Sequence, residues 1–189
     1  MQPLSSYPTS LHILIQAGQS DPLNAGEVGL FVFDFDSLYE MVRLTVDPKY
    51  ASFNFSRFAL YRNAKRLSNE DKLYVQLLRL TSPMEMASTI AVYSGAAASI
   101  VATLWILVQA LERIYNLKLN REKLQLEIQK LKRDLSTESI VLIEPDPFDV
   151  THSIEERGAS EYLDTIEKRL SRSSIQIEEV KIRVDFENR

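Results

Sequence analysis

The amino-acid sequence predicts an α+β protein: a small β-rich N-terminal domain, then one long apolar helix that continues into a short coiled-coil-like segment, then a small α/β tail. Three observations predict this class. Short apolar runs between Gly, Pro and polar clusters are typical of strands. A stretch of 26 residues, 86–111, carries no charged side chain, and a strongly charged segment follows it. We place the boundaries at 1–83, 84–135 and 136–189.

Composition bounds the possible chemistry. Apolar residues make up 45% of the 189 residues and charged residues 25%, which is typical of a globular chain. The chain has no cysteine, which excludes disulfides, thiolate metal sites and iron–sulfur clusters. Segment 112–135 has an excess of basic residues, but these alternate with Glu122, Glu127 and Asp134. We therefore expect a solvated helix face there rather than a nucleic-acid-binding surface.

Two strands and a helix are predicted at the start of the chain. Residues 11–17 and the near-continuously apolar residues 28–34 are typical of strands, the second buried on both faces. Ser37 followed by Glu40 matches a capping box, in which each side chain satisfies a backbone N–H of the other residue. The helix is expected to end at Val46, because an Asp-Pro pair follows and the residue before proline is pushed out of the helical conformation.

Two further strands complete the predicted N-terminal domain. One covers residues 53–60, with a bulge near Ser56-Arg57 where the alternation of apolar residues slips. The other covers residues 73–80. The order of strand, strand, helix, strand and strand is compatible with a β-grasp-like (ββαββ) domain such as ubiquitin, by analogy of element order alone.

A helix start is predicted at Ser82-Pro83-Met84-Glu85. Ser82 is a favourable N-cap, proline suits the first turn, and Glu85 completes a capping box. The apolar stretch 86–111 then continues into a basic amphipathic segment, 112–135. Apolar residues at 4-3-4 spacing in that segment predict the seam of a short coiled coil: Leu124, Ile128, Leu131 and Leu135.

The tail is predicted to be a separate, acidic α/β unit. Residues 140–143 are typical of a short strand, and a helix is expected after Gly158. Residues 175–186 alternate between apolar and polar side chains as a strand does. The alternation slips once, at Glu178-Glu179, which predicts a bulge.

The surroundings of the apolar stretch decide between two classes of function. Residues 86–111 are long enough to cross a bilayer, and the basic residues after them favour a cytoplasmic location for the coil. The sequence therefore favours a non-enzymatic, single-pass membrane-tethered protein that acts through protein–protein interaction and contacts the lipid bilayer. The alternative is a soluble cytoplasmic interaction module or assembly subunit in which helix 86–111 is buried between protomers.

Both hypotheses imply a homo-oligomer, because one chain of this size supplies few partners for so long an apolar helix. Small residues at three- and four-residue spacings along this stretch allow a second helix backbone to approach closely. The residues predicted to mediate self-association are Ala91, Gly95, Ala98, Ser99 and Ala102.

No catalytic, cofactor-binding or metal-binding residue is assigned from the sequence. Asp34-Phe35-Asp36, after an apolar run, resembles the first motif of the haloacid-dehalogenase phosphohydrolases, in which a strand ends in Asp-x-Asp. The Gly-Thr that follows in that family is Ser37-Leu38 here, so a role of Asp36 or Ser37 as a helix cap is favoured. His152 lies in an acidic loop that lacks the spacing of an EF-hand calcium loop.

Overall fold

The computed structural model describes residues 8–19, 23–53, 55, 67–80, 84–91, 97–115 and 158–186. Within these ranges the protein is α+β, as predicted, with a four-stranded antiparallel sheet and three helices. The elements in chain order are β1 (Pro8–Gln19), α1 (Ala25–Val46), β2 (Tyr74–Arg79), β3 (Met84–Ala91), α2 (Ala97–Tyr115), α3 (Ser160–Ser171) and β4 (Ile175–Phe186).

The strand order in the sheet is β2-β3-β1-β4, so β1 and β3 are interior and β2 and β4 form the edges of the described sheet. Each neighbouring pair is antiparallel. Burial alternates along the interior strands β1 and β3, and the buried side chains form a single core with the helices: on β1 these are Ile13, Ile15 and Ala17. The helices therefore cover one face of the sheet, which is the usual way for an antiparallel sheet to bury one side.

The pairing of β1 with β4 contains the bulge that the sequence predicts. Gln16 lies across from Glu179, but the next residue, Ala17, lies across from Ile177. Glu178 is therefore the extra residue of the bulge, and the predicted slip at Glu178-Glu179 is confirmed. A side chain at Gly18 would overlap the Glu178 carboxylate, so a glycine there leaves room for the bulged residue.

The predicted strand over residues 28–34 and the predicted capping box at Ser37 are wrong, because both lie inside the 22-residue helix α1. The capping box is formed earlier, by Asn24 and Glu27: each side chain accepts the other's backbone N–H, at 3.0 and 3.2 Å. The helical spacing of buried apolar residues is difficult to recognise in this sequence, because Leu30 and Phe33 are also apolar. Both lie on the exposed side of the helix, at 59% and 53% exposure. The predicted end at Val46 is confirmed.

The predicted helix start at Ser82-Pro83-Met84-Glu85 is also wrong. Residues 84–91 form strand β3, which lies between β2 and β1. Its buried side chains alternate (Met84, Met86, Ser88 and Ile90), and this is the period of a strand. The predicted long helix is thus a strand followed by the 19-residue helix α2, and the predicted ββαββ order is not found.

The prediction of a transmembrane helix is contradicted. Among the described helices, none combines the length and the apolar character that a bilayer crossing requires. Helix α2 packs against α1 and α3, and most of its apolar side chains are buried in the core, with Leu104, Leu107 and Leu111 each at most 1% exposed. The apolar side chains of α2 are therefore buried against other helices of the same chain.

The single sheet takes strands from both sides of the predicted domain boundaries. Strand β4, from the predicted tail, pairs with β1 along almost its whole length. The boundaries at 83 and 135 stay predictions. Three predicted features lie outside the described residues: the coiled-coil seam, the strand at 140–143 and the acidic loop with His152. Most of the predicted strand 53–60 lies outside them as well, although Phe55 is described and buried.

Candidate interaction edge

Strand β2 is an edge strand whose residues are all exposed. Among the described strands it pairs with β3 alone. Its apolar side chains are between 37% and 49% exposed, in a segment that also includes the residue after the strand: Tyr74, Val75, Leu77, Leu78 and Leu80. We call this segment, residues 74–80, the β2 edge. A long apolar edge strand is rare on natural sheets, because it invites pairing with another strand.

The β2 edge carries apolar side chains on both faces of the sheet. Val75 and Leu78 lie across from buried residues of β3 and therefore belong to the face that the helices cover. Tyr74 and Leu77 lie across from partly exposed residues of β3, on the opposite face. A register shift at Gln76 produces this arrangement. Apolar residues on both faces are typical of a strand in the interior of a sheet.

The two edges of the described sheet differ in how they discourage further pairing. Strand β4 carries Glu178, Glu179 and Lys181 next to its bulge, and charges and bulges are the devices that protect natural edges. Strand β2 has a single charged residue, Arg79, which is paired with Glu85 of β3 at 3.0 Å. The β2 edge therefore has a bulge, as β4 does, at Gln76, but carries fewer charges than β4 does.

The β2 edge is held in place by a buried aspartate. Asp71 closes the short turn Asn69–Asp71 that precedes the strand, and its side chain is completely buried. Its Oδ1 accepts a hydrogen bond from Arg43 of α1 at 2.9 Å, and its carbonyl accepts one from the Tyr39 hydroxyl at 2.8 Å. Burial raises the pKa of Tyr39, against the effect of the Arg43 charge, so the phenol remains a donor. The turn is thereby tied to α1.

The second oxygen of Asp71 is equally well satisfied. Its Oδ2 accepts hydrogen bonds from the Tyr50 hydroxyl at 2.5 Å, the Ser68 hydroxyl at 2.6 Å and the Lys49 ammonium at 2.9 Å. The hydrogen bond that Lys49 donates to Asp71, and another that it donates to Glu70, raise the pKa of Lys49. A buried carboxylate that accepts this many hydrogen bonds keeps its neighbours in a single arrangement.

Arg43 links the same cluster to α2. Its guanidinium is buried and contacts Asp47 at 2.8 Å, Asp71 at 2.9 Å and the Ser99 hydroxyl at 3.0 Å. Because Ser99 lies on α2, the cluster joins both long helices to the turn before β2. Lys49, whose side chain is 42% exposed, adds a second cation and also contacts Glu70 at 3.0 Å. We call these residues the Arg43–Asp71 network.

The residues predicted to mediate self-association do not form one helical stripe. Ala91 lies on strand β3, whereas Ala98 lies in the first turn of α2, and Gly95 is outside the described residues. Ser99 and Ala102 are buried inside the chain, at 9% and 6% exposure, and the Ser99 hydroxyl belongs to the Arg43–Asp71 network. A role of these residues in self-association stays a prediction.

The Asp-x-Asp motif does not occupy the position that phosphohydrolase chemistry would need. Asp34 and Asp36 lie within helix α1 rather than at the end of a strand, and residues two apart on a helix do not face each other. In the described part of the chain, no group of three metal-binding side chains comes together. The resemblance to the haloacid-dehalogenase motif is therefore one of sequence alone and does not extend to the structure.

Comparisons with known proteins do not assign this chain to a family. No family model matches it, and neither a curated protein nor a solved structure does. The β2 edge is the most unusual feature of the described part of the chain.

The sequence contains a signal for the β2 edge but none for the network behind it. Residues 73–80 are predicted as a strand, and their nearly continuous apolar character is typical of burial on both faces. The position of that strand at the edge of the sheet follows from tertiary pairing. Arg43 and Asp71 are 28 residues apart, and no local pattern relates them.

Proposed function

We propose that this protein is a self-associating interaction module, in which the β2 edge pairs with the β2 edge of a second copy in antiparallel orientation. The observation that carries the proposal is the exposure of a strand that is apolar on both faces. Pairing would join two four-stranded sheets into one continuous sheet and would make β2 an interior strand, for which its composition is suited.

A second copy fits the β2 edge because a symmetric antiparallel pair is self-complementary. In such a pair the first residues of one strand lie near the last residues of the other. Tyr74 of each copy would approach Arg79 of the other, a favourable pairing of an aromatic ring with a guanidinium group. The edge has no second charge that would repel its own copy. Burying one of these half-exposed apolar side chains in the interface would stabilise the dimer by on the order of 1 kcal/mol.

The Arg43–Asp71 network supports the proposal because it holds the β2 edge before pairing. The Tyr74 hydroxyl donates a hydrogen bond to the Asn69 carbonyl at 2.8 Å, so the start of the strand is fastened to the anchored turn. A strand that is already ordered loses less conformational entropy when it binds. We therefore expect two β2 edges to pair without a folding step in either strand.

The test is a pair of lysine substitutions in the full chain, studied by sedimentation velocity at increasing protein concentration. Leu77→Lys places a charge on the β2 edge, and Phe33→Lys places one at a similarly exposed apolar position on α1. We expect the wild-type protein and the Phe33→Lys variant to form dimers as the concentration rises, and the Leu77→Lys variant to remain a monomer with an unchanged circular dichroism spectrum.

Two outcomes would contradict the proposal. A wild-type protein that stays monomeric up to millimolar concentration would show that the edge does not pair with a second copy. A Leu77→Lys variant that dimerises as strongly as the wild type would place the interface elsewhere.

A further inference from the structure

Helix α1 has an exposed apolar face near its N-terminal end. Leu30 and Phe33 are the two most exposed large apolar side chains in the described part of the chain, at 59% and 53%. Gly26 and Gly29 are exposed on the same helix. Counted from Gly26, the other three residues follow at the helical spacings of three, four and seven, so all four lie on one side of α1. We call these four residues the α1 face.

Gly29 is a costly residue that no contact within the chain explains. Inside a helix, glycine is less favourable than every residue except proline. A Cβ added at Gly29 would meet no atom within 4 Å, and the residue has an ordinary helical conformation within α1. Neither internal packing nor backbone geometry therefore requires a glycine here. A small residue on a helix surface allows the backbone of a second helix to approach closely.

Positive charges without counterions lie beside the α1 face. The groove between α1 and the end of α3 is lined by Leu30 on one side and by Arg169 and Arg172 on the other. Arg172 is the C-cap of α3, and Lys168 lies one turn before it. Both side chains are exposed, and in the part of the chain that the structure describes neither forms an ion pair.

The acidic residues of the same groove are already engaged. Asp34 is buried and contacts Arg169 at 3.3 Å. The Glu27 carboxylate accepts the backbone N–H of Asn24 in the capping box at the start of α1. The charges that remain for a partner are therefore those of Lys168 and Arg172, which favour a partner with acidic side chains.

We propose that the α1 face binds an amphipathic helix of a partner protein, with an apolar stripe against Leu30 and Phe33 and acidic residues beside Lys168 and Arg172. Gly29 marks the place where the two helix backbones approach most closely. Apolar anchors at helical spacing are typical of a helix bound in a groove. The face spans two turns of α1, roughly 11 Å, so a helix of about four turns would cover it.

A second copy of this chain is a poor occupant of the α1 face. A symmetric pair of α1 faces would bring Lys168 and Arg172 of one copy near the same two cations of the other, and like charges in an interface repel. The α1 face also shares no residue with the β2 edge. The proposal is therefore independent of the proposed self-association.

The test uses two designed helical peptides of about four turns, with the same leucine stripe, added as fluorescent probes to the full-length protein. One peptide has glutamates on its polar side and the other has lysines. We expect the glutamate peptide to bind saturably and at least about tenfold more tightly in fluorescence anisotropy. Equal affinities, or no saturable binding of the glutamate peptide at millimolar protein, would overturn the proposal. Co-sedimentation with phosphatidylglycerol vesicles in the absence of peptide binding would also overturn it, since the face would then bind a lipid surface.

Two variants and a control connect this binding to the α1 face. Gly29→Leu enters open space, so the unfolding temperature should not fall, while the affinity for the glutamate peptide should fall about tenfold. Arg172→Glu should weaken the glutamate peptide and strengthen the lysine peptide. Leu77→Lys, on the β2 edge, should leave both affinities unchanged. A Gly29→Leu variant that binds the glutamate peptide as tightly as the wild type, or that no longer dimerises, would overturn the proposal.

Discussion

Arg43 is a buried charge whose cost is offset by its partners. A guanidinium moved out of water loses several kcal/mol of hydration, and this loss is recovered only when its neighbours are charged and well aligned. Asp47 and Asp71 provide charged neighbours within 3.0 Å, and the Ser99 hydroxyl accepts a further hydrogen bond at 3.0 Å. The network joins segments that are distant in the chain, so its main effect is to fix how α1, α2 and the turn before β2 are arranged.

The first prediction concerns the loss of Arg43. We expect Arg43→Met to lower the free energy of unfolding by about 3–5 kcal/mol, because it leaves two carboxylates buried without their guanidinium partner. Lys181→Met, which removes an exposed ion pair with Glu179 on β4, should cost less than about 1 kcal/mol. Urea denaturation at one fixed protein concentration measures both changes. Equal losses in the two variants would mean that the network has no special importance.

The second prediction uses the pKa of Asp34, which burial raises and the Arg169 charge only partly lowers. A carboxyl whose pKa is higher in the folded state binds protons more tightly there, so it reduces stability as the pH rises above the ordinary value of 3.8. Asp34→Asn should therefore raise the free energy of unfolding at neutral pH, and this gain should shrink towards zero below pH 3.8. Unfolding curves over a pH series measure it. A gain independent of pH would contradict the expected cause.

The N-cap of helix α1 is Asn24, which lies well before Ser37, the cap that the sequence pattern predicts. The third prediction is that Asn24→Ala lowers the free energy of unfolding by about 1 kcal/mol, because the backbone N–H of Glu27 loses its acceptor. Ser37→Ala should cost nothing comparable, because Ser37 lies in the middle of the helix and alanine is the best helix former. Thermal unfolding of both variants is the measurement, and a greater loss in Ser37→Ala would contradict the assignment of the cap.

Strand β3 illustrates how a tertiary partner overrides a local signal. Its first residues resemble a helix start, but their side chains alternate between buried and partly exposed, and β1 and β2 supply hydrogen bonds on both sides. Glu85, which the sequence assigned to a helix cap, instead accepts hydrogen bonds from Gln16 and Arg79. Such cross-strand contacts require residues that are distant in sequence, so no window around residue 85 could reveal them.

The whole sheet depends on strands from both halves of the chain. The fourth prediction is that a fragment of residues 1–83 does not fold alone, because it lacks β3 and β4, the two strands that flank β1. The buried side chains of β1 would then have no neighbouring strand, and an isolated strand is not stable in water. Proton NMR of the fragment measures this: dispersed amide signals would show that the sequence-based boundary at 83 does separate an independent domain.

Local sequence patterns were sufficient for the α+β class, for β1, β2, α3 and β4, for the end of α1 and for the bulge in β4. Each of these rests on the spacing of neighbouring apolar residues or on a Gly or Pro stop. The short apolar run 28–34 is compatible with both a helix and a strand, and residues 84–91 follow a helix-capping pattern; in both cases tertiary partners select the structure. The strand order and the Arg43–Asp71 network arise from contacts across the chain. They exist only once the sheet and the helices have packed together.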